Sequence, residues 1–147
     1  MSPAEVDKLC YAMLQEFPEI VSRVKIGESY QGRNLYVYIF MNKINTSVEK
    51  ELKSRPGIFI NGAHHARELT SISMVTYIML KFLHSWVAKD QNLLAEMVEN
   101  RSILYFLPIV NIDAVTYMAE KYIETGIIPK TRKNMHNYSK VKCNNQP

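Results

Sequence analysis

Pro56-Gly57-Ile58-Phe59-Ile60-Asn61-Gly62-Ala63-His64-His65-Ala66-Arg67-Glu68-Leu69-Thr70 is the stretch that decides the fold. Residues 58–60 form a short apolar run of the length expected for a buried strand. Gly62 interrupts the run, and two histidines, an arginine and a glutamate follow at once. From Ser71 onward the apolar residues become periodic and predict a long helix. Strand, tight turn and helix in that order place side chains at the carboxyl edge of a sheet, where open α/β folds bind ligands. His65 and Glu68 are three apart at a helix start and so share one side of the chain. An imidazole and a carboxylate held that way can both reach one divalent cation, and this donor pair suits zinc. A bare His-x-x-Glu also arises by chance, and an acidic residue at a helix start favours the helix dipole without any metal. The strand before the pair and the helix after it favour the metal site.

The segment Asn61-Gly62-Ala63-His64-His65-Ala66-Arg67-Glu68 resembles the first zinc motif of the zinc carboxypeptidases, the carboxypeptidase A/B-like metallopeptidases. The resemblance implies that His65 and Glu68 are ligands of one Zn2+ ion, that Arg67 faces the peptide substrate, and that His64 is not a ligand. Ile26-Gly27-Glu28-Ser29-Tyr30-Gln31-Gly32-Arg33-Asn34-Leu35-Tyr36-Val37 is similar to an opening block of the same family, in the right order relative to His65. Pro108-Ile109-Val110-Asn111-Ile112-Asp113-Ala114 resembles the family's P-x-x-N-P-D-G turn, with Ile112 and Ala114 in place of proline and glycine. From the residues themselves, Asn111 and Asp113 are expected to be turn and capping residues first, and supports of the site second. Thr131-Arg132-Lys133-Asn134-Met135 is similar to the family's W-R-K-N-R segment. In that register Arg132 is the catalytic, substrate-binding arginine that stabilises the oxyanion formed when zinc-activated water attacks the peptide carbonyl. A second register, pairing Lys130-Thr131-Arg132 with a K-T-R variant, loses that arginine. His136 has no assigned counterpart.

The fold expected from these elements is α/β, a three-layer αβα arrangement with a mixed β-sheet, incomplete on its C-terminal side. A capped helix opens the chain: Ser2 caps, Pro3 suits the first helical position and Glu5 closes a capping box. Val6, Leu9, Cys10, Met13 and Phe17 give it one apolar face, and Pro18 stops it. Strands are expected over residues 20–26 and 34–41, joined through Gln31-Gly32 as an antiparallel hairpin. A polar connector over residues 42–55 leads to the strand quoted first. Residues 68–87 predict a long helix buried along Ile72, Val75, Ile78, Met79, Phe82, Leu83 and Trp86, with His84 on its surface. A short helix over 91–98 and a buried strand over 103–110 complete the expectation.

With 147 residues, one domain is expected, burying roughly two-thirds of its unfolded surface. The net charge of +4 is spread along the chain except for the basic residues 130–142, which lack the motifs of a nucleic-acid binder, so no nucleic acid is expected. Cys10 and Cys143 make no disulfide framework, and Cys10 is expected as a buried free thiol. No run reaches the ~18 apolar residues of a membrane span. The first residues carry no signal-peptide pattern, which places a cytoplasmic location ahead of a secreted one. Sequons at Asn45, Asn100 and Asn137 are compatible with secretion.

The resemblance covers almost the whole chain but only the first part of the family's catalytic domain. The family's third zinc ligand (a second histidine), the Asn-Arg pair for the substrate's terminal carboxylate, a tyrosine and the glutamate general base follow the point where Pro147 stands. Residues 1–147 are therefore expected to be the N-terminal portion of a single catalytic domain, whether as a fragment, a truncated gene model or a degenerate paralogue. The implied function is hydrolysis of the C-terminal peptide bond of peptides or proteins. The isolated chain is expected to be inactive, and poorly soluble through an unpaired apolar sheet edge. Two alternatives stay open: a zinc acylamino-acid amidohydrolase of the aspartoacylase type, and a non-catalytic binding fragment of the same fold.

Overall fold

The computed structural model describes residues 1–41, 54–89 and 102–136. The elements are α1 (Pro3–Glu16), β1 (Val21–Glu28), β2 (Asn34–Phe40), β3 (Gly57–Asn61), α2 (Leu69–Val87), β4 (Ile103–Leu107) and α3 (Ile112–Thr125). The capping box of α1 is formed. Ser2 Oγ accepts from the Glu5 amide at 3.3 Å, and the Ser2 amide donates to Glu5 Oε2 at 2.6 Å.

The four described strands form one mixed sheet in the order β1-β2-β4-β3. β1 and β2 are the expected antiparallel hairpin, β2 pairs antiparallel with β4, and β4 pairs parallel with β3. α2 lies between β3 and β4 in the chain, as a parallel pair requires. Tyr38, Phe40, Leu104 and Phe106 point to one face of the sheet, where residues of α1, α2 and α3 join them in a single core. Phe40 and Phe82 both set a ring edge against Phe106, with centroids 4.9 and 6.2 Å apart. The opposite face gathers Val37, Ile39, Met41, Ile103 and Leu107. All the described helices thus share one face. Among the described residues no helix covers the opposite face, and the expected helix over 91–98 lies outside the described residues.

The structure corrects the expectation for β3. β3 is not a buried strand. It is the outer strand of the described sheet, and Ile58 and Phe59 are 37% and 53% exposed. A three-residue apolar run shows what suits a pleated surface but not how many neighbours cover it. The other outer strand, β1, carries Arg23, Lys25 and Glu28, charges that discourage further pairing, whereas β3 carries none. Cys10 is buried and free, as expected. Burial pushes its thiol up to about 12, with the Tyr38 hydroxyl hydrogen-bonded to it. Cys143 lies outside the described residues. Among the described residues no helix is long and apolar enough to cross a membrane.

Candidate metal centre

The turns that follow β3 and β4 run side by side because backbone bonds tie them together. Gly62 N–H donates to Leu107 O, Val110 N–H to Gly62 O, and Asn111 N–H to Ala63 O, at 3.1, 2.9 and 3.0 Å. Gly62 is required at this crossing. A Cβ there would stand 2.9 Å from Ser71 O and 3.0 Å from Pro108 O, both backbone atoms that cannot swing aside. The next residue, Ala63, takes φ +52°, a left-handed conformation that costs an L-residue roughly 1 kcal/mol. Its amide donates to Ser71 Oγ at 2.8 Å, and the same hydroxyl donates to Glu68 O at 2.6 Å. Ser71 thus pins the start of α2 to the turn.

This tightly held turn presents the two predicted ligands. His65 Nδ1 lies 3.1 Å from each oxygen of the Glu68 carboxylate. Both side chains are partly open to solvent, 37% exposed for His65 and 52% for Glu68. Two donors bonded to one zinc ion at about 2.0–2.2 Å stand roughly 3–3.5 Å apart. The separation and the imidazole-carboxylate chemistry therefore fit a shared zinc ion. The same 3.1 Å contact is also of hydrogen-bond length, so a metal would compete with a proton for these atoms. Among the described residues no group of three potential metal ligands is present. His64, next in the chain, is exposed, and its carbonyl rather than its ring is engaged by Asn111. His84 is exposed in the last turn of α2, away from this turn and favourable to the helix dipole.

Arg67 is exposed on the His65-Glu68 turn itself. Arg132 is exposed in an irregular segment after α3, and the side chain of Asn111 ties that segment to the His65-Glu68 turn. Asn111 Nδ2 donates to His64 O and to Lys133 O, each at 3.3 Å. Asn111 stands at the N-cap position of α3, as expected, and its carbonyl accepts from the Val115 amide, but its side chain makes no cap bond. Its amide is spent on holding two turns together.

The side chain of Asp113 departs from the capping expectation in the same way. Its buried carboxylate accepts from Ser29 Oγ at 2.7 Å, from the Gln31 amide at 3.0 Å and from the Arg33 guanidinium at 2.8 Å. Burial pushes this carboxyl up, but the bonds from Ser29, Gln31 and Arg33 outweigh it and hold the group below the ordinary carboxylate range. Asp113 thus fastens the tip of the β1-β2 hairpin to the N-terminus of α3. The signal was in the sequence as Ser29 and Arg33 of the opening block, but nothing local links them to Asp113.

A mixed α/β sheet with an imidazole-carboxylate pair at the carboxyl end of a parallel strand places that pair where open α/β folds bind ligands. The comparison with known families is more specific: the chain belongs to the zinc carboxypeptidase family, whose model matches residues 6–146. It is 33% identical to carboxypeptidase A4 of Mus musculus over 102 residues, 69% of this chain and 22% of that protein. It is 32% identical to zinc carboxypeptidase A 1 of Drosophila melanogaster over 111 residues, 73% of this chain and 24% of that protein. Among solved structures, thrombin activatable fibrinolysis inhibitor superposes with a TM-score of 0.77 at 22% identity, covering 97% of this chain and 31% of that one. Carboxypeptidase A from Helicoverpa armigera superposes with a TM-score of 0.64 at 23% identity, covering 93% and 29%. These likenesses establish the fold, and the chain spans less than a third of each of these proteins.

Proposed function

We propose that this chain carries the N-terminal portion of the catalytic domain of a zinc-dependent metallocarboxypeptidase, an enzyme that hydrolyses the C-terminal peptide bond of peptides or proteins. The observation that carries the reading is the contact of His65 Nδ1 with both Glu68 oxygens at 3.1 Å, on a turn fixed by Gly62 and Ser71. In this reading His65 and Glu68 hold one zinc ion. Bound zinc supplies Lewis-acid chemistry, acidifying water and polarising a carbonyl. Arg67, on the same turn, meets the peptide. Arg132 sets a fixed positive charge against the negative charge that develops on the carbonyl oxygen, a role worth several kcal/mol of barrier. Asn111 supports both parts by joining the Arg132 segment to the metal turn.

The histidines of the chain are His64, His65, His84 and His136, and no third donor stands beside the pair among the described residues. We therefore propose that the 147-residue chain, taken alone, holds zinc weakly and does not hydrolyse peptides. The same observation supports the second reading, a non-catalytic binding fragment that keeps the fold without the chemistry.

Zinc titration by calorimetry separates the two. The expected result is one weak site, at least tenfold weaker in His65→Ala and in Glu68→Ala and unchanged in His84→Ala. Zinc binding indifferent to His65 and Glu68 would overturn the metal centre and leave the binding fragment. Robust chelator-sensitive release of C-terminal residues would overturn the inactivity of the isolated chain.

A further inference from the structure

The Arg132 segment, residues 127–136, has no helix or strand to hold it. Met135 packs against the core from within it, and two further contacts from distant parts of the chain bear on the neighbourhood of Arg132. The first is the bond from Asn111 Nδ2 to Lys133 O, one residue after Arg132, made by the same amide that holds His64 O. The second is a ring contact: Tyr30 lies against His136, with centroids 4.5 Å apart and planes tilted by 52°. Tyr30 sits at the tip of the β1-β2 hairpin, and that tip is rigid for a reason already visible. Asp113 grips Ser29, Gln31 and Arg33 on either side of Tyr30. Ser29 closes the turn by accepting from the Arg33 amide on its hydroxyl at 3.0 Å and donating its own amide to Arg33 O at 2.8 Å. Tyr30 itself remains 60% exposed.

We infer that Asn111 and Tyr30 are positioning residues that clamp the Arg132 segment at two points beside the His65-Glu68 turn, with Asp113 holding Tyr30 in place. The clamp rests on the metallocarboxypeptidase reading only for its purpose. Its existence is independent of that reading. The two points differ in what else they touch: Asn111 holds both the segment and the metal turn, and Tyr30 holds the segment alone. Loosening Tyr30 weakens the hold on the segment and leaves the His65-Glu68 pair as it was, while loosening Asn111 disturbs both.

Trypsin reads the clamp directly, because it cleaves after Arg132 and Lys133 only when the segment detaches enough to enter a protease. A single hydrogen bond or ring contact is worth about a factor of three to ten in that opening. In the 147-residue chain, Tyr30→Ala and Asn111→Asp are each expected to speed cleavage after Arg132 and Lys133 by about three- to tenfold. Cleavage after Lys25 and Lys121 should not change. Tyr30→Phe, which keeps the ring, should behave as the unsubstituted protein. Zinc affinity should fall about threefold in Asn111→Asp and stay constant in Tyr30→Ala. Unchanged cleavage in both variants, an equal rise at all four sites, or failure of phenylalanine to restore protection would overturn the clamp. Unchanged zinc affinity in Asn111→Asp would overturn its link to the metal turn. If the unsubstituted chain binds no zinc, the metal reading fails while the cleavage pattern still decides the clamp, and if Asn111→Asp does not fold, the Tyr30 pair decides it.

Discussion

Two carboxylates follow parallel strands of the same sheet, each at the start of the next helix, and their surroundings are opposite. Asp113, in the first turn of α3, has a side chain only 5% exposed and accepts from a hydroxyl, an amide and a guanidinium. Glu68, at the boundary of α2, has a side chain 52% exposed and faces one partner, His65. The local sequence plan is nearly the same: apolar strand, turn, acidic residue, helix. What differs is whether another element arrives. The hairpin between β1 and β2 reaches Asp113 and consumes its lone pairs in holding the fold. Among the described residues nothing comparable reaches Glu68, so its oxygens remain available to a ligand. An acidic residue at a strand-turn-helix junction is thus structural or functional according to its distant neighbours.

Substitution should expose that difference first at Asp113. Asp113→Ala removes three bonds to a buried charge, leaves the Ser29 hydroxyl and the Gln31 amide without that acceptor, and leaves a half-buried Arg33 guanidinium bonded to Gln31 Oε1 alone of these two partners. A loss of about 3 kcal/mol of folding stability is expected in a urea titration. The same residue should impose a pH dependence. Its folded-state value lies below its unfolded one. Its contribution is therefore present above the unfolded value of about 3.9 and is lost as pH falls through the lower folded value. Melting temperatures recorded on the acid side should decline less steeply in Asp113→Asn, which does not titrate. Equal slopes in the two proteins would mean that Asp113 is not the group responsible.

Gly62→Ala ranks next, and it tests whether the metal turn is as rigid as the hairpin tip. The added methyl meets Ser71 O and Pro108 O at about van der Waals overlap, and moving either shifts the start of α2 or the end of β4. Overpacking of this kind costs about 2 kcal/mol. Gly32→Ala, at the hairpin turn, meets nothing within 4 Å and suffers only from its φ of +77°. It should cost about 1 kcal/mol. A reversed order would mean that the metal turn yields more easily than its backbone contacts imply.

Those contacts mark how far the sequence alone could be read. The capping box at Ser2 and Glu5, the hairpin through Gly32 and the start of α2 after Glu68 depend on residues within a turn of one another, and they appear where local chemistry places them. The family, too, was visible in the motif around His65, because a metal turn needs its glycine, imidazole and carboxylate close together in the chain. The role of Asp113 was not visible, since its partners lie 80 to 84 residues away. Nor was the bridge from Asn111 to His64 and Lys133, which crosses 47 and 22 residues. The exposure of β3 escaped for a related reason: an apolar run shows readiness for burial, and only the strand order β1-β2-β4-β3 places this one at the rim.

The smallest expected change in stability carries the sharpest form of the comparison. His65→Ala and Glu68→Ala each remove a solvent-exposed pair that contributes at most about 0.5 kcal/mol. In metal-free buffer their urea midpoints should coincide with that of the unsubstituted protein, in contrast to Asp113→Ala. With zinc added, the unsubstituted protein alone should gain stability, by about 1.4 kcal/mol for each tenfold excess of free metal over the dissociation constant. A large loss in metal-free buffer would place Glu68 in the same structural role as Asp113. A shared gain with zinc would move the metal elsewhere. Coincident midpoints without zinc and separated ones with it would show that the contact between His65 and Glu68 is kept for a ligand, not for the fold.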